Sequence, residues 1–471
     1  MSIACNNPMP RRTVTLVECL AVVERLALVA LVCGTVACST QPVLDEPLTP
    51  EAMAEQSPMA GAVQGDRDDE ILVLLALSGG GTRAAAFAYG VLQELAATTV
   101  RTSRGERRLL DEVDIISSVS GGSFVNAYYG LYGDRIFDDF EQRFLRLSIQ
   151  SDLTKGLFKP ANWSALGSRD YGRSDMAAEL YDDKLFDNKT FSDFKRPGAP
   201  HVIINSTDIA SGTRISFTRP MFNLLCADLD QYPVSRAVAA SSAVPGMATP
   251  ITLKNYAGQC GLELPTWLNK AAQASGSTLA GAEAQALTAY LDTSEHPWLH
   301  LVDGGVSDNL GLRAFYTIFS VEHDPEQVLR DLGHENVKQV LMISVNAAAQ
   351  HLPEWAAERD PPRVKHVLGS MTDVLMSRYT GDTTHIVRTA YSQWAKTRQA
   401  GPRPVSFEFV EVSFAGVGDA QERRRLNDTV TSLQLDDEEI DRLIGAGRAV
   451  LRESDDFGRF LGRNEGRDAV Q

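Results

Sequence analysis

The sequence predicts an α/β protein, with a mostly parallel central sheet flanked by helices and an α+β C-terminal extension. Three observations lead there. Apolar runs of strand length recur at Ile71–Leu77, Val113–Ser117, Val202–Ser206, Trp298–Val302 and Gln339–Val345. Helix-compatible stretches separate them, the alternation expected of strands joined through helical crossovers. Each run also ends near a candidate functional turn, and sites in such sheets gather at the carboxyl ends of strands.

The first run leads into Ser78-Gly79-Gly80-Gly81-Thr82-Arg83. A nucleotide-binding P-loop would continue Gly-Lys-Ser/Thr, and a dinucleotide fingerprint would read G-x-G-x-x-G; neither spacing is present. Two readings remain. The glycines serve a tight strand-to-helix turn, or their bare N–H groups at a helix start form an oxyanion hole.

The second run leads into Ser118-Val119-Ser120-Gly121-Gly122-Ser123. This is the G-x-S-x-G nucleophile elbow with Ser118 in place of the first glycine. A short strand precedes it and a helix-compatible stretch follows, which is the context the motif requires. A Ser-Gly-Gly turn without chemistry is the plainer alternative. One turn that stabilises an anion and one that presents a hydroxyl together point to acyl transfer.

A base is then needed. None of the eight histidines lies in a recognisable catalytic turn; His300 reads as a strand residue. Asp303 ends the apolar run from Trp298, and Gly304 and Gly305 let the backbone turn close to it. Partial burial would raise the basicity of such a carboxylate. Asp308 reads as a group that orders the loop.

At these residues the chain resembles the patatin-like phospholipases. The family carries a glycine-rich oxyanion turn with a trailing arginine, a G-x-S-x-G serine and an Asp-Gly-Gly or Asp-Gly-Ala aspartate. Gly79, Gly80, Gly81 and Arg83 match the first, Ser120 with Gly121 the second, and Asp303 with Gly304 and Gly305 the third. The resemblance runs over roughly residues 70–345. It implies an α/β fold, a Ser120–Asp303 dyad without histidine, a Gly79–Gly81 oxyanion hole and hydrolysis of acyl esters in lipids. It implies no metal, and no cofactor is expected. Arg83 is expected to brace the Asp-Gly-Gly loop, with neutralisation of a lipid phosphate as the alternative. A non-catalytic envelope lipoprotein that binds lipid or a protein partner through the same pocket is the alternative.

The N-terminus is expected to be a leader. Leu26 to Cys38 runs uncharged for a length that suits a signal peptide and is short of the ~20 residues of a membrane span. Thr35-Val-Ala-Cys38 resembles a bacterial lipoprotein cleavage box with Cys38 as the acylated residue. Residues 1–37 are thus read as signal peptide. Residues 38–69, rich in Pro, Gln, Ala and acidic groups, are read as a flexible tether. Residues 70–345 form the hydrolase domain and 346–471 the C-terminal extension packed on it. The implied location is the bacterial cell envelope, facing the periplasm or exterior. Beyond the leader only Cys226 and Cys260 remain, and in an exported protein they are candidates for a disulfide.

The 471 residues carry a net charge of -16. That balance disfavours nucleic acid and long-range attraction to an anionic bilayer. The expected partners are a lipid or other acyl ester and, through the anchor, a membrane. In the extension, Val364–Gln399 reads as a helix, Val405–Phe414 as a strand, and Asp436 with Glu439 as the capping box of a last helix. Gln259–Glu295 reads as a plain surface helix, or else as an insertion over the site that could serve as a lid.

The leader reading has a direct check. Mass spectrometry of the mature N-terminal peptide is expected to find an acylated Cys38. Cys38→Ala is expected to leave the chain unprocessed or released; an unmodified N-terminus at another residue would rule the lipoprotein reading out.

Overall fold

The computed structural model describes residues 45–55, 67–159, 171–265, 279–319, 325–349, 354–362 and 364–465, with residues 163, 268 and 273. The expected leader and Cys38 lie outside the described residues. The strands are β1 (Ile71–Leu77), β2 (Thr99–Thr102), β3 (Gly105–Arg108), β4 (Val113–Val119), β5 (His201–Asp208), β6 (Arg214–Phe217), β7 (Ile251–Lys254), β8 (Trp298–Asp303), β9 (Gln339–Asn346) and β10 (Ser406–Ser413). β2 and β3 form a separate hairpin. The rest make one mixed sheet in the order β10-β9-β1-β4-β5-β8-β7, with β6 also on β5.

From β10 to β5 every neighbour is parallel. β6, β7 and β8 pair antiparallel. The strand that ends at Asp303 therefore runs against the others, which the apolar runs alone did not reveal. Register explains how it still reaches the parallel strands' ends. Ile204 and Asn205 of β5 pair with both β4 and β6, whereas Ser206 and Thr207 pair with both β6 and β8. A strand has only two edges, so β4 and β8 share one edge of β5 and meet end to end. β4 stops at Val119 opposite Asn205, and β8 stops at Asp303 opposite Ser206. The residue after Val119 is Ser120.

The uninterrupted apolar character of β1 follows from burial on both faces. Ile71, Val73, Leu75 and Leu77 face one core with β9 residues Leu341, Ile343 and Val345. Leu72, Leu74 and Ala76 face a second with Val340 and Met342. The principal helices are α1 (Gly81–Ala97), α2 (Gly121–Tyr132), α3 (Ile149–Leu157), α4 (Arg173–Tyr181), α5 (Val234–Ser241), α6 (Val364–Gln399), α7 (Asp437–Arg452) and α8 (Asp455–Glu465). Both α1 and α2 start at the glycine turns and are buried almost throughout. Among the described residues no helix is long and apolar enough to cross a membrane.

Two boundaries differ from expectation. Parts of the stretch read as tether are seated on the domain. Leu48 is buried, its N–H donates to Cys226 O at 2.8 Å, and Asp45 Oδ2 accepts from Lys254 N at 2.8 Å. Arg67 and Asp68 are also buried. A few apolar and charged groups with fixed partners suffice to order a segment of otherwise tether-like composition. The residues after 345 also build the sheet itself, since β10 extends it beside β9. The helix capped by Asp436 and Glu439 is present as α7, and α8 follows it. Cys226 and Cys260 form a disulfide.

α7 lies across α1, and glycines set the approach. A Cβ on Gly90 would sit 2.2 Å from Ile444 O, and one on Gly447 2.2 Å from Phe87 O. Gly447→Ala is therefore expected to lower stability by roughly 1–3 kcal/mol, the usual cost of overpacking. Gly445→Ala, whose Cβ would meet open space, is expected to be neutral or mildly stabilising. Paired thermal melts of the two variants check this.

Candidate active site

Ser120 stands between β4 and α2 with φ 48° and ψ -118°. Left-handed backbone at a non-glycine residue costs about 1–3 kcal/mol and persists only where neighbours impose it. Here Ser120 N donates to Ser241 Oγ at 2.9 Å, and Ser241 Oγ donates to Asn205 O at 2.6 Å. The hydroxyl of α5's last residue thus pins the turn to β5. Ser118, the departure from the glycine pattern, is accommodated in a polar network. Its Oγ lies 3.1 Å from Ser123 Oγ, accepts from Asn126 Nδ2 at 2.8 Å and donates to Ile203 O at 3.2 Å.

Asp303 faces Ser120 across the gap between the two strand ends. Its carboxylate accepts from Gly305 N at 2.8 Å, and the Ser120 side chain is near enough to pull its pKa down. Its N–H is held by Ala243 O at 2.9 Å, and Gly304 N by Ser241 O at 3.2 Å. A Cβ on Gly304 would lie 2.4 Å from Asn205 O, so only glycine lets the chain turn this close to β5. Asp303 is buried, and loss of solvent pushes its pKa up to about 6, against the opposing pull of Gly305 N–H and Ser120.

The glycine turn closes the site. Gly80 (φ 138°) and Gly81 (φ 61°) adopt backbone that side chains disfavour. Their N–H groups make no hydrogen bond among the described residues. Gly79 differs from expectation: its N–H donates to Asn309 O at 3.0 Å and is not free to hold an anion. What its position requires is smallness, since a Cβ there would lie 2.5 Å from Asn309 Oδ1 and 3.2 Å from Ser120 Cβ. A Cβ on Gly121 would meet Gly81 O at 2.1 Å, so the two turns touch.

Arg83 is buried and acts as a brace. Nε donates to Ala347 O at 2.9 Å and Nη1 to Thr429 O at 2.6 Å, which ties the glycine turn to the segments after β9 and before α7. Thr82 N adds a bond to Ser432 O at 2.8 Å, and a Cβ on Gly81 would strike that same carbonyl. Asp308 orders its loop by accepting from Arg313 N at 2.7 Å, and burial raises its pKa. His300 is exposed on β8, away from Ser120, with its ring 3.3 Å from Thr252 Oγ1. Ser241, Asn205 and Asn309 are the residues to which motif reading gave no role, although the stretches holding Asn205 and Ser241 also resemble the family. The run Ala239-Ala-Ser-Ser-Ala-Val-Pro245 carries a signal for the first only in its small, helix-ending composition.

A sequence model of the patatin-like phospholipases matches residues 75–316. The chain belongs to that family. The match includes all three turns that meet at the site. A search of curated protein sequences found no match. Among solved structures, human GIVD cytosolic phospholipase A2 is similar at 13% identity and TM-score 0.43, over 90% of this chain and 68% of that one. The same human enzyme in complex with methyl gamma-linolenyl fluorophosphonate is similar at 14% identity and TM-score 0.41, over 87% and 61%.

The raised pKa of Asp303 has a stability consequence of definite sign. The fold favours the protonated form, so the contribution is present below about pH 4 and is lost as pH rises through about 6. Asp303→Asn, neutral at every pH, is expected to melt several degrees above the parent at pH 8, with the two converging near pH 4. Melts of both proteins across that range test it; equal Tm values at pH 8 would contradict a desolvated carboxylate.

Proposed function

We propose that this patatin-like protein is a serine acyl hydrolase of lipid esters, with Ser120 as nucleophile and Asp303 as its base. The reading rests on one observation above all: a strained serine and a desolvated aspartate meet at the ends of two strands beneath a turn with free N–H groups. Ser120 Oγ attacks the ester carbonyl carbon while Asp303 takes its proton. The carbonyl oxygen, now an anion, is held by N–H groups of Gly80 and Gly81, with Gly121 N beside them. Collapse expels the alcohol, which receives the proton from Asp303, and leaves an acyl group on Ser120. Water, deprotonated by the same Asp303, then releases the fatty acid. A carboxylate with a pKa near 6 is largely ionised at neutral pH yet more basic than an exposed one, which suits it to both proton transfers.

The lipidated Cys38 is part of this proposal. Only six residues, seven backbone steps, separate Cys38 from Asp45, which is buried against β7. At about 3.3–3.6 Å per residue they span at most ~25 Å, so the anchor would hold the domain close to the bilayer.

Ser120→Ala and Asp303→Asn are each expected to lower hydrolysis of a dispersed nitrophenyl ester by roughly 10³-fold or more, because nucleophile and base act as a unit. The parent's rate is expected to fall as pH drops below about 6, as Asp303 takes up its proton. Near-full activity in Asp303→Asn would overturn the dyad.

A further inference from the structure

The catalytic end of the sheet is ringed by large apolar side chains that the fold leaves in water. Met247 is 67% exposed, on the loop that leaves Ala243, whose carbonyl holds Asp303 N. Trp298 is 41% exposed at the start of β8. Because Leu301 already pairs with Asp208, the last residue of β5, Trp298 projects beyond the end of the parallel strands. Val430 is 62% exposed, between Thr429 and Ser432, the two residues that hold the glycine turn. It lines an open groove of about 560 Å³ with Thr154 and Lys155 of α3. Phe158 closes α3 at 74% exposure, and Trp163, 60% exposed, donates Nε1–H to Leu157 O at 3.1 Å. α3 packs on α4, whose Ser174 N bonds Thr249 Oγ1 at 3.2 Å, two residues from Met247.

The chain's path says what this rim meets. Asp45 is fixed to Lys254 N, and Lys254 pairs with Trp298 at the projecting end of β8. Residue 38 is therefore tied by a short span to the same end of the molecule that exposes these side chains. The chemistry of the rim agrees. Tryptophan is amphipathic, and Lys155 and Lys159 flank Phe158 on stems long enough to keep their charges in water. A body of net charge -16 gains nothing from anionic lipid at long range, which leaves apolar insertion as the force.

We infer that Phe158, Trp163, Met247, Trp298 and Val430 form a docking rim that inserts into the surface of a zwitterionic bilayer and brings ester carbonyls to Ser120. The inference rests on the hydrolase reading for its purpose, though binding can be measured without activity. Phosphatidylcholine vesicles are the probe, with Phe158→Ser/Trp163→Ser and Met247→Ser/Trp298→Ser as variants in the full chain. Each pair is expected to lower hydrolysis of the vesicle lipid roughly tenfold or more, since two large apolar groups no longer leave water. Hydrolysis of dissolved nitrophenyl butyrate is expected to stay within about twofold, because neither pair touches the dyad. Unchanged vesicle hydrolysis, or an equal fall on both substrates, would overturn the rim. Vesicles carrying brominated acyl chains give a readout free of catalysis. They are expected to quench the parent's tryptophan fluorescence, and Trp163→Phe/Trp298→Phe is expected to lose most of that quenching in low and high salt alike. Identical quenching in the variant would refute insertion even for a protein that hydrolyses nothing.

Discussion

Everything at this site depends on two strands that meet head to head along one edge of β5. β4 arrives with the parallel strands and β8 against them, and one residue of β5 register separates their ends. A hydrogen-bonded strand is a rigid ruler, so Ser120 and Asp303 are placed by backbone rather than by side-chain preference. The strained turn at Ser120 is then held by a third element, through Ser241. That division suits a nucleophile: the scaffold fixes the geometry, and the polar groups that maintain it stay clear of the hydroxyl.

Close approach explains most of the glycines. Gly79 makes room for Ser120 and Asn309, Gly121 for the Gly81 carbonyl, Gly304 for β5, and Gly90 and Gly447 for the crossing of α1 and α7. The glycine turn is also clamped from far along the chain, by Ala347, Thr429 and Ser432. These carbonyls lie beyond the 75–316 stretch that matches the family. The C-terminal region therefore belongs to the architecture of the candidate site, as β10 belongs to the sheet.

Much of this was legible in sequence because local rules governed it. The five apolar runs became strands within a few residues, since burial on both faces leaves no other use for them. Ser120, Asp303 and the glycine turn could be read because each sits at an abrupt strand end. The direction of β8 could not, because an apolar run looks the same whichever way it pairs. Arg83's bonds to Ala347 and Thr429 were hidden because they go to backbone carbonyls, which any residue supplies, 264 and 346 positions away. Gly79 was read as a donor because sequence shows where N–H groups are bare but not whether a distant carbonyl such as that of Asn309 has taken them. The seating of residues 45–55 turned on Asp45 and Leu48, two residues in a stretch whose composition otherwise read as tether.

The most direct test of the central claim is to react the purified protein with a fluorophosphonate probe and map the modified peptide. An activated serine bonds to phosphorus and expels fluoride, whereas an ordinary serine hydroxyl does not react. The account predicts a single label, on Ser120, whose rate of formation rises with pH through about 6 as Asp303 ionises. A label on another serine, or none on a folded protein that still hydrolyses esters, would contradict it.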